Sequence, residues 1–170
     1  NVSVLGLSGE PFANPSSLHR HGRRARELLE EARAHVAQAV GARAADVVFT
    51  SGGTEAVNLG LFGLASGIER VVTTAIEHPA VVAPLATLER QGIAVIRLPI
   101  VDGVGLDPAA VAAHLDPRTL VAVQWVNHEV GTLLPVETIA LACRRSGARL
   151  VVDATQAVGK LPIDVSTLGC

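Results

Sequence analysis

A chain of 170 residues, 49% hydrophobic but only 2% aromatic, holds enough aliphatic surface for one domain with a sizeable core and is too short for two large ones. Its formal net charge of −2 offers no cationic field for nucleic acid, and no apolar run reaches the roughly 18 residues that span a bilayer. Without a basic-then-apolar leader either, the sequence reads as a cytoplasmic protein, and the absence of Met, with Asn at position 1, reads as a trimmed piece of something longer.

Residues 1–13 carry Gly and Ser with no sustained period and read as a lead-in loop. From Ser17 the pattern changes. Ala25, Leu28, Leu29, Ala32, Val36, Ala39 and Val40 recur at helical spacing, with Arg23, Arg24, Glu27, Glu30, Glu31 and Arg33 on the other faces. This predicts one long amphipathic helix that stops at Gly41 as its C′ residue, its Arg/Glu run a solvated face with i,i+4 pairs.

Beyond it, short apolar runs alternate with helical segments, the pattern of βαβ units and a largely parallel sheet. Strands are predicted at Val47 to Thr50, Arg70 to Thr74, Ile93 to Leu98, Leu120 to Val126 and Leu150 to Asp153. Helices are predicted at Thr54 to Ala65, Pro79 to Gln91, Asp107 to His114 and Pro135 to Ser146. Pro79 and Pro135 suit N1 positions, Asp107-Pro108 reads as N-cap plus N1, and Asp102-Gly103 reads as a turn. Cys143 and Cys170 are unclustered, neither a disulfide framework nor a metal quartet, and Cys143 falls within a predicted helix as a packing residue.

Polar residues gather where these predicted strands end. Thr50-Ser51-Gly52-Gly53-Thr54-Glu55 joins a strand to a helix; small residues there let the backbone approach a ligand, and the helix start offers unpaired N–H groups to a phosphate. It has neither the Walker lysine nor the dinucleotide glycine spacing. Glu77-His78-Pro79 places a histidine where it can stack on a flat ligand or exchange protons. Trp125-Val126-Asn127-His128-Glu129-Val130-Gly131 concentrates polar groups that must find partners, either lining a site or tying down a loop, with Glu129 the expected loop anchor. Asp153 and Gln156 follow an apolar run, and a carboxylate in that crevice calls for a cationic partner such as a protonated pyridine nitrogen. No short histidine spacing suggests a metal, and His19 and His21 lie on the early helix.

In this order the stretches resemble the cysteine desulfurases, in the class V aminotransferase group of fold-type I pyridoxal-phosphate enzymes. The resemblance runs from Asn14-Pro15-Ser16-Ser17-Leu18-His19 through Ser51-Gly52-Gly53-Thr54-Glu55, Glu77-His78 and Asn127-His128-Glu129-Val130-Gly131 to the stretch from Asp153 to Asp164. It implies a three-layer α/β fold, a mostly parallel sheet flanked by helices, with residues 14–170 forming part of the large cofactor domain. It further implies pyridoxal 5'-phosphate as cofactor. Gly53 and Thr54 match the phosphate-binding turn, His78 the catalytic histidine that stacks on the cofactor ring, Asp153 the partner of the pyridinium nitrogen, and Gln156 a donor to the phenolic oxygen. Family members are typically homodimers that convert L-cysteine to L-alanine and pass the sulfur as a persulfide to a loop cysteine, and onward to acceptor proteins such as those of iron–sulfur cluster assembly.

Three features depart from the family pattern. His128 stands where the family has a cofactor-contacting asparagine, and its ring can still hydrogen-bond a phenolate oxygen. The family's Schiff-base lysine and acceptor cysteine fall beyond Cys170; Lys160, the only lysine here, sits in a Val-Gly-Lys-Leu-Pro stretch where the family's lysine does not carry the cofactor. The opening strand before the Asn-Pro-Ser stretch is not recognisable in residues 1–13. Two other functions compete with the desulfurase reading: a noncatalytic degenerate homologue or partner subunit that keeps the fold, and a nucleotide-binding α/β domain using the Ser51 to Thr54 turn.

Overall fold

The structure is a computed structural model that describes residues 13–101 and 105–168. Residues 1–12, the Asp102-Gly103 turn and Cys170 lie outside the described residues. The chain divides into two compact units, Asn1–Val47 and Val48–Cys170.

In the first unit, α1 (Arg20–Val40) starts and stops where local chemistry directs it. His19 is the N-cap, its Nδ1 accepting the Gly22 amide at 3.1 Å. Gly41 ends the helix at φ 67°, a left-handed conformation that glycine adopts without strain, and donates to the Ala37 and Gln38 carbonyls. The charged face carries Arg24–Glu27 and Arg33–Glu30 ion pairs, spaced i,i+3. The Arg24–Glu27 pair is solvent-exposed and contributes little, while Arg33 is half-buried.

The second unit holds α2 (Gly53–Leu64), β1 (Arg70–Thr74), α3 (Pro79–Arg90), β2 (Ala94–Leu98), α4 (Pro108–Ala112), β3 (Thr119–Gln124), α5 (Val136–Ser146), β4 (Arg149–Asp153) and α6 (Val165–Leu168). Its four strands form a parallel sheet in the order β2-β1-β3-β4, with Val72 opposite both Ile96 and Val121, and Val121 opposite Leu150. Successive strand residues feed opposite faces. Val71, Leu120 and Ala122 meet Val57 and Leu61 of α2 and Val81, Leu85 and Leu88 of α3. Val72, Val121 and Val123 meet Val111 of α4, Leu168 of α6, and Val136, Ile139, Ala140 and Cys143 of α5. The result is the expected three-layer α/β arrangement. Burial on both faces is why the middle of β3, Leu120 to Val123, reads as an unbroken apolar run, every residue of the strand being buried. Cys143 is part of this core, as expected.

Most elements fall within two residues of their predicted bounds, and the departures have local causes. Residues 47–50 are not a strand: Val48 and Phe49 are 73% and 45% exposed, the reverse of what a buried strand requires. Pro135 is the N-cap of α5, not its first helical residue. Its φ of −79° and ψ of 59° make an inverse γ-turn, closed by the Val136 amide on the Leu134 carbonyl at 2.8 Å. By contrast Asp107 caps α4 as its sequence suggests, accepting the Ala109 amide at 2.9 Å, with Pro108 at N1.

The strand order sets the position of the site. From β1 the chain crosses to β2 on one side and returns to β3 on the other, so connections diverge at the carboxyl ends of β1 and β3. Open parallel sheets hold their ligands in such a crevice.

Candidate active site

The segment after β1 is shaped by capping. Pro79 opens α3, and the residue before it, His78, is held extended (φ −64°, ψ 148°) as the N-cap. Its Nδ1 accepts the Ala80 amide at 3.1 Å, so in the neutral ring the proton sits on Nε2. Glu77 lies below, only 8% exposed. Its Oε1 accepts the Thr74 hydroxyl at 2.6 Å and the Gln124 amide at 3.2 Å, while Oε2 is buried with no partner. Burial pushes the Glu77 carboxyl up to about 7, the Thr74 hydroxyl and Gln124 amide oppose that rise, and the charge of Asp153 adds to it.

At the end of β3 the loop is tied down by Asn127. Its Oδ1 accepts the Glu129 and Val130 amides at 3.0 and 2.9 Å, and its amide nitrogen reaches the Ile76 carbonyl at 3.3 Å. Gln124 donates to the same carbonyl at 2.6 Å. The loop closes through Asn127 N–H on Thr132 and Gly131 N–H on Asn127, with Gly131 at φ 73°. Asn127 therefore does the anchoring expected of Glu129, whose side chain is 78% exposed and stands 3.9 Å from His128 Nε2. With the loop fixed, the His128 ring meets that of His78 edge to face, centroids 4.9 Å apart.

Strand β4 ends at Asp153, whose carbonyl accepts the Trp125 amide at 2.9 Å and so joins the ends of β3 and β4. Its Oδ1 accepts the Thr155 amide at 3.0 Å. That bond engages one carboxylate oxygen and leaves Oδ2 outside it. In the turn that follows, Gln156 Oε1 takes the Lys160 ammonium at 2.6 Å, which directs the Gln156 amide nitrogen elsewhere as a donor. Facing this turn is the start of α2. Gly52 caps it without a side-chain bond, so the first amides of the helix are left for another acceptor. A Cβ on Gly53 would stand 3.3 Å from Thr155 Oγ1, so glycine lets the two segments close up. Ser51 donates both hydroxyl and amide to Glu55 at 2.6 Å, which holds the Glu55 carboxyl below its ordinary range and fixes the turn.

These four segments enclose one pocket of about 410 Å³, lined by Gly53, Thr54, His78, His128, Asp153 and Gln156 together with Ala80, Gln124, Val126 and Thr155. All six residues singled out in the sequence reach it. Sequence reading passed over Gln124 and Thr155, whose signal was a polar residue at the end of an apolar run, and it gave Glu77 no role of its own. Among the described residues no group of three or more His, Cys, Asp or Glu is placed to hold a metal ion, and no helix is long and apolar enough to cross a membrane.

Residues 7–170 of this parallel α/β chain match the family Aminotransferase class-V, and the chain belongs to it. The relatives it matches include cysteine desulfurases, which are pyridoxal-phosphate enzymes. A cysteine desulfurase of Cereibacter sphaeroides is 48% identical over 168 residues, 95% of this chain and 43% of that protein. The solved structure of SspA in complex with cysteine superposes with a TM-score of 0.91 at 31% identity, covering 96% of this chain and 48% of that one. DndA from Streptomyces lividans gives a TM-score of 0.82 at 37% identity, covering 96% and 47%. The chain thus spans less than half the length of these relatives.

Proposed function

We propose that the pocket is the pyridoxal 5'-phosphate site of a cysteine desulfurase, in which the whole protein converts L-cysteine to L-alanine and hands on the sulfur as a persulfide. The observation that carries this is the convergence of Gly53, Thr54, His78, His128, Asp153 and Gln156, drawn from four separated segments, on one pocket. The residues present fit the cofactor. The unpaired amides at the start of α2, approached closely because position 53 is glycine, suit a phosphate dianion. The second oxygen of Asp153 suits a cationic ring nitrogen, and the two imidazoles offer faces and edges to a flat ring.

When bound, pyridoxal phosphate supplies an electron sink for the pair left as the substrate loses its α-proton. The work of this chain is to keep that sink strong. Asp153 would hold the ring nitrogen of the cofactor, its negative charge favouring a proton there. His78, its Nδ1 committed to the Ala80 amide, presents a neutral ring with Nε2–H available. Gln156, its Oε1 taken by Lys160, would offer its amide nitrogen to the cofactor's phenolic oxygen, and His128, which lines the same pocket, could add a second ring donor or acceptor. The substrate reading leans on SspA, whose structure holds cysteine. A second copy of the chain, a sulfur-acceptor protein and a cytoplasmic location complete the proposal. The test is to supply the complete protein with pyridoxal phosphate, L-cysteine and a thiol reductant, and to measure alanine and sulfide. Equal amounts of both are expected; cysteine left untouched overturns the reading.

A further inference from the structure

One carboxyl beneath the pocket has no task in the chemistry above. Glu77 is 8% exposed, receives both of its donors on Oε1, and buries Oε2 with no partner. Burial penalises the charged form of a carboxyl, and an oxygen left without a donor adds to that penalty, so the neutral acid is favoured. The field of a neighbouring carboxylate, Asp153, also opposes a second negative charge. The other titratable groups at this end of the sheet are His78 on the following residue, His128 from the β3 loop, and Lys160, which is engaged with Gln156. No hydrogen bond joins any of them to Glu77 among the described residues. Of the bonds that Glu77 makes, the one from Thr74 holds it to the end of β1, and the one from the Gln124 amide crosses the switch crevice to the end of β3. Gln124 and Asn127 add two more on the Ile76 carbonyl, so the segment entering His78 is clamped from below.

We propose that Glu77 is a positioning residue that works as an uncharged carboxylic acid: it clamps the segment leading into His78 onto the end of β3, and its ionisation as pH rises loosens that clamp and the pocket's hold on its aromatic ligand. The second half of this proposal rests on the pocket's being the cofactor site. Glutamine preserves the shape and the acceptor for Thr74 and Gln124 and cannot ionise, so Glu77→Gln separates charge from structure.

Two measurements on the complete protein test it. In the cofactor-free protein, the infrared difference between wild type and E77Q should contain a carboxylic-acid carbonyl band that disappears as pH rises through about 7. A carboxylate signal already present in acid overturns the proposal, whether or not the protein takes up cofactor. In the protein loaded with pyridoxal phosphate, the ratio of wild-type to E77Q cofactor-loss rates should rise about tenfold between about pH 6 and about pH 9. Glu77→Ala should lose cofactor quickly at both; if that variant does not fold, the wild-type and E77Q pair decides alone. An E77Q protein that shows the same alkaline acceleration as wild type overturns the gating. Failure to take up any cofactor would instead overturn the proposed function, while the infrared band still decides the charge of Glu77.

Discussion

The imidazoles of His78 and His128 stand at 80° to each other with centroids 4.9 Å apart, although 50 positions separate them in sequence. One arrives as the N-cap of α3 at the end of β1, the other on the loop that Asn127 pins at the end of β3. Replacing His128 with the asparagine usual in the family should remove the ring contact and keep a hydrogen-bonding amide. The expected result for His128→Asn is a loss of about 0.5–1 kcal/mol of stability. Cofactor affinity should stay within about tenfold of wild type, measured by urea unfolding and by absorbance titration.

Asp153 splits its two oxygens between structure and ligand. Asp153→Asn keeps an acceptor for the Thr155 amide and removes the charge. In the complete protein this should weaken pyridoxal-phosphate binding by about 30-fold or more, the equivalent of about 2 kcal/mol for losing a hydrogen bond between charged groups. Unfolding of the cofactor-free protein should change little. Equal affinities in wild type and variant would remove Asp153 from the ring-nitrogen role.

Glu77 gives the fold a pH dependence with a definite sign. Its carboxyl is raised from 4.5 to about 7 on folding, so the folded state binds the proton more tightly. The stability this supplies is fully present below about pH 4.5 and is lost as pH rises through about 7. The full loss is roughly 3 kcal/mol, since every tenfold gain in proton affinity on folding is worth about 1.4 kcal/mol. Urea unfolding at a series of pH values should show that decline in wild type and lose it in Glu77→Gln.

Gly53 and Thr155 form a matched pair. A methyl at position 53 would press on Thr155 Oγ1 from 3.3 Å, so Gly53→Ala should widen the gap between α2 and the β4 turn. The expected effect is about tenfold weaker binding of inorganic phosphate and of pyridoxal phosphate, with global stability changed by less than about 1 kcal/mol. Adding Thr155→Ala should restore much of the affinity, and an additive double variant would show that the contact is not the cause.

Much of this was legible in the chain because strand ends advertise themselves: an apolar run that stops at Asp153, or at Trp125 before Asn127 and His128, marks where buried backbone meets a ligand crevice. Helix starts at Asp107 and Pro79 were equally readable from capping chemistry. What local pattern could not reveal was partnership across distance. Residues 47–50 look like a strand by composition, yet Val48 and Phe49 stay exposed, and pairing cannot be read from a β-branched and aromatic run of four. Glu129 looked like the loop anchor because it is charged, while the shorter Asn127 reaches two amides two and three residues on. Glu77 was hidden for the same reason, since its character depends on Gln124, 47 positions away.

The central claim is that these converging segments grip pyridoxal phosphate through Asp153. Absorbance titration of the complete protein with the cofactor, alongside Asp153→Ala and His78→Ala, tests it most directly. Saturable uptake by wild type with a shifted visible band, sharply weakened in Asp153→Ala and less so in His78→Ala, is the expected result. No uptake by wild type, or uptake unaffected by either change, would contradict it.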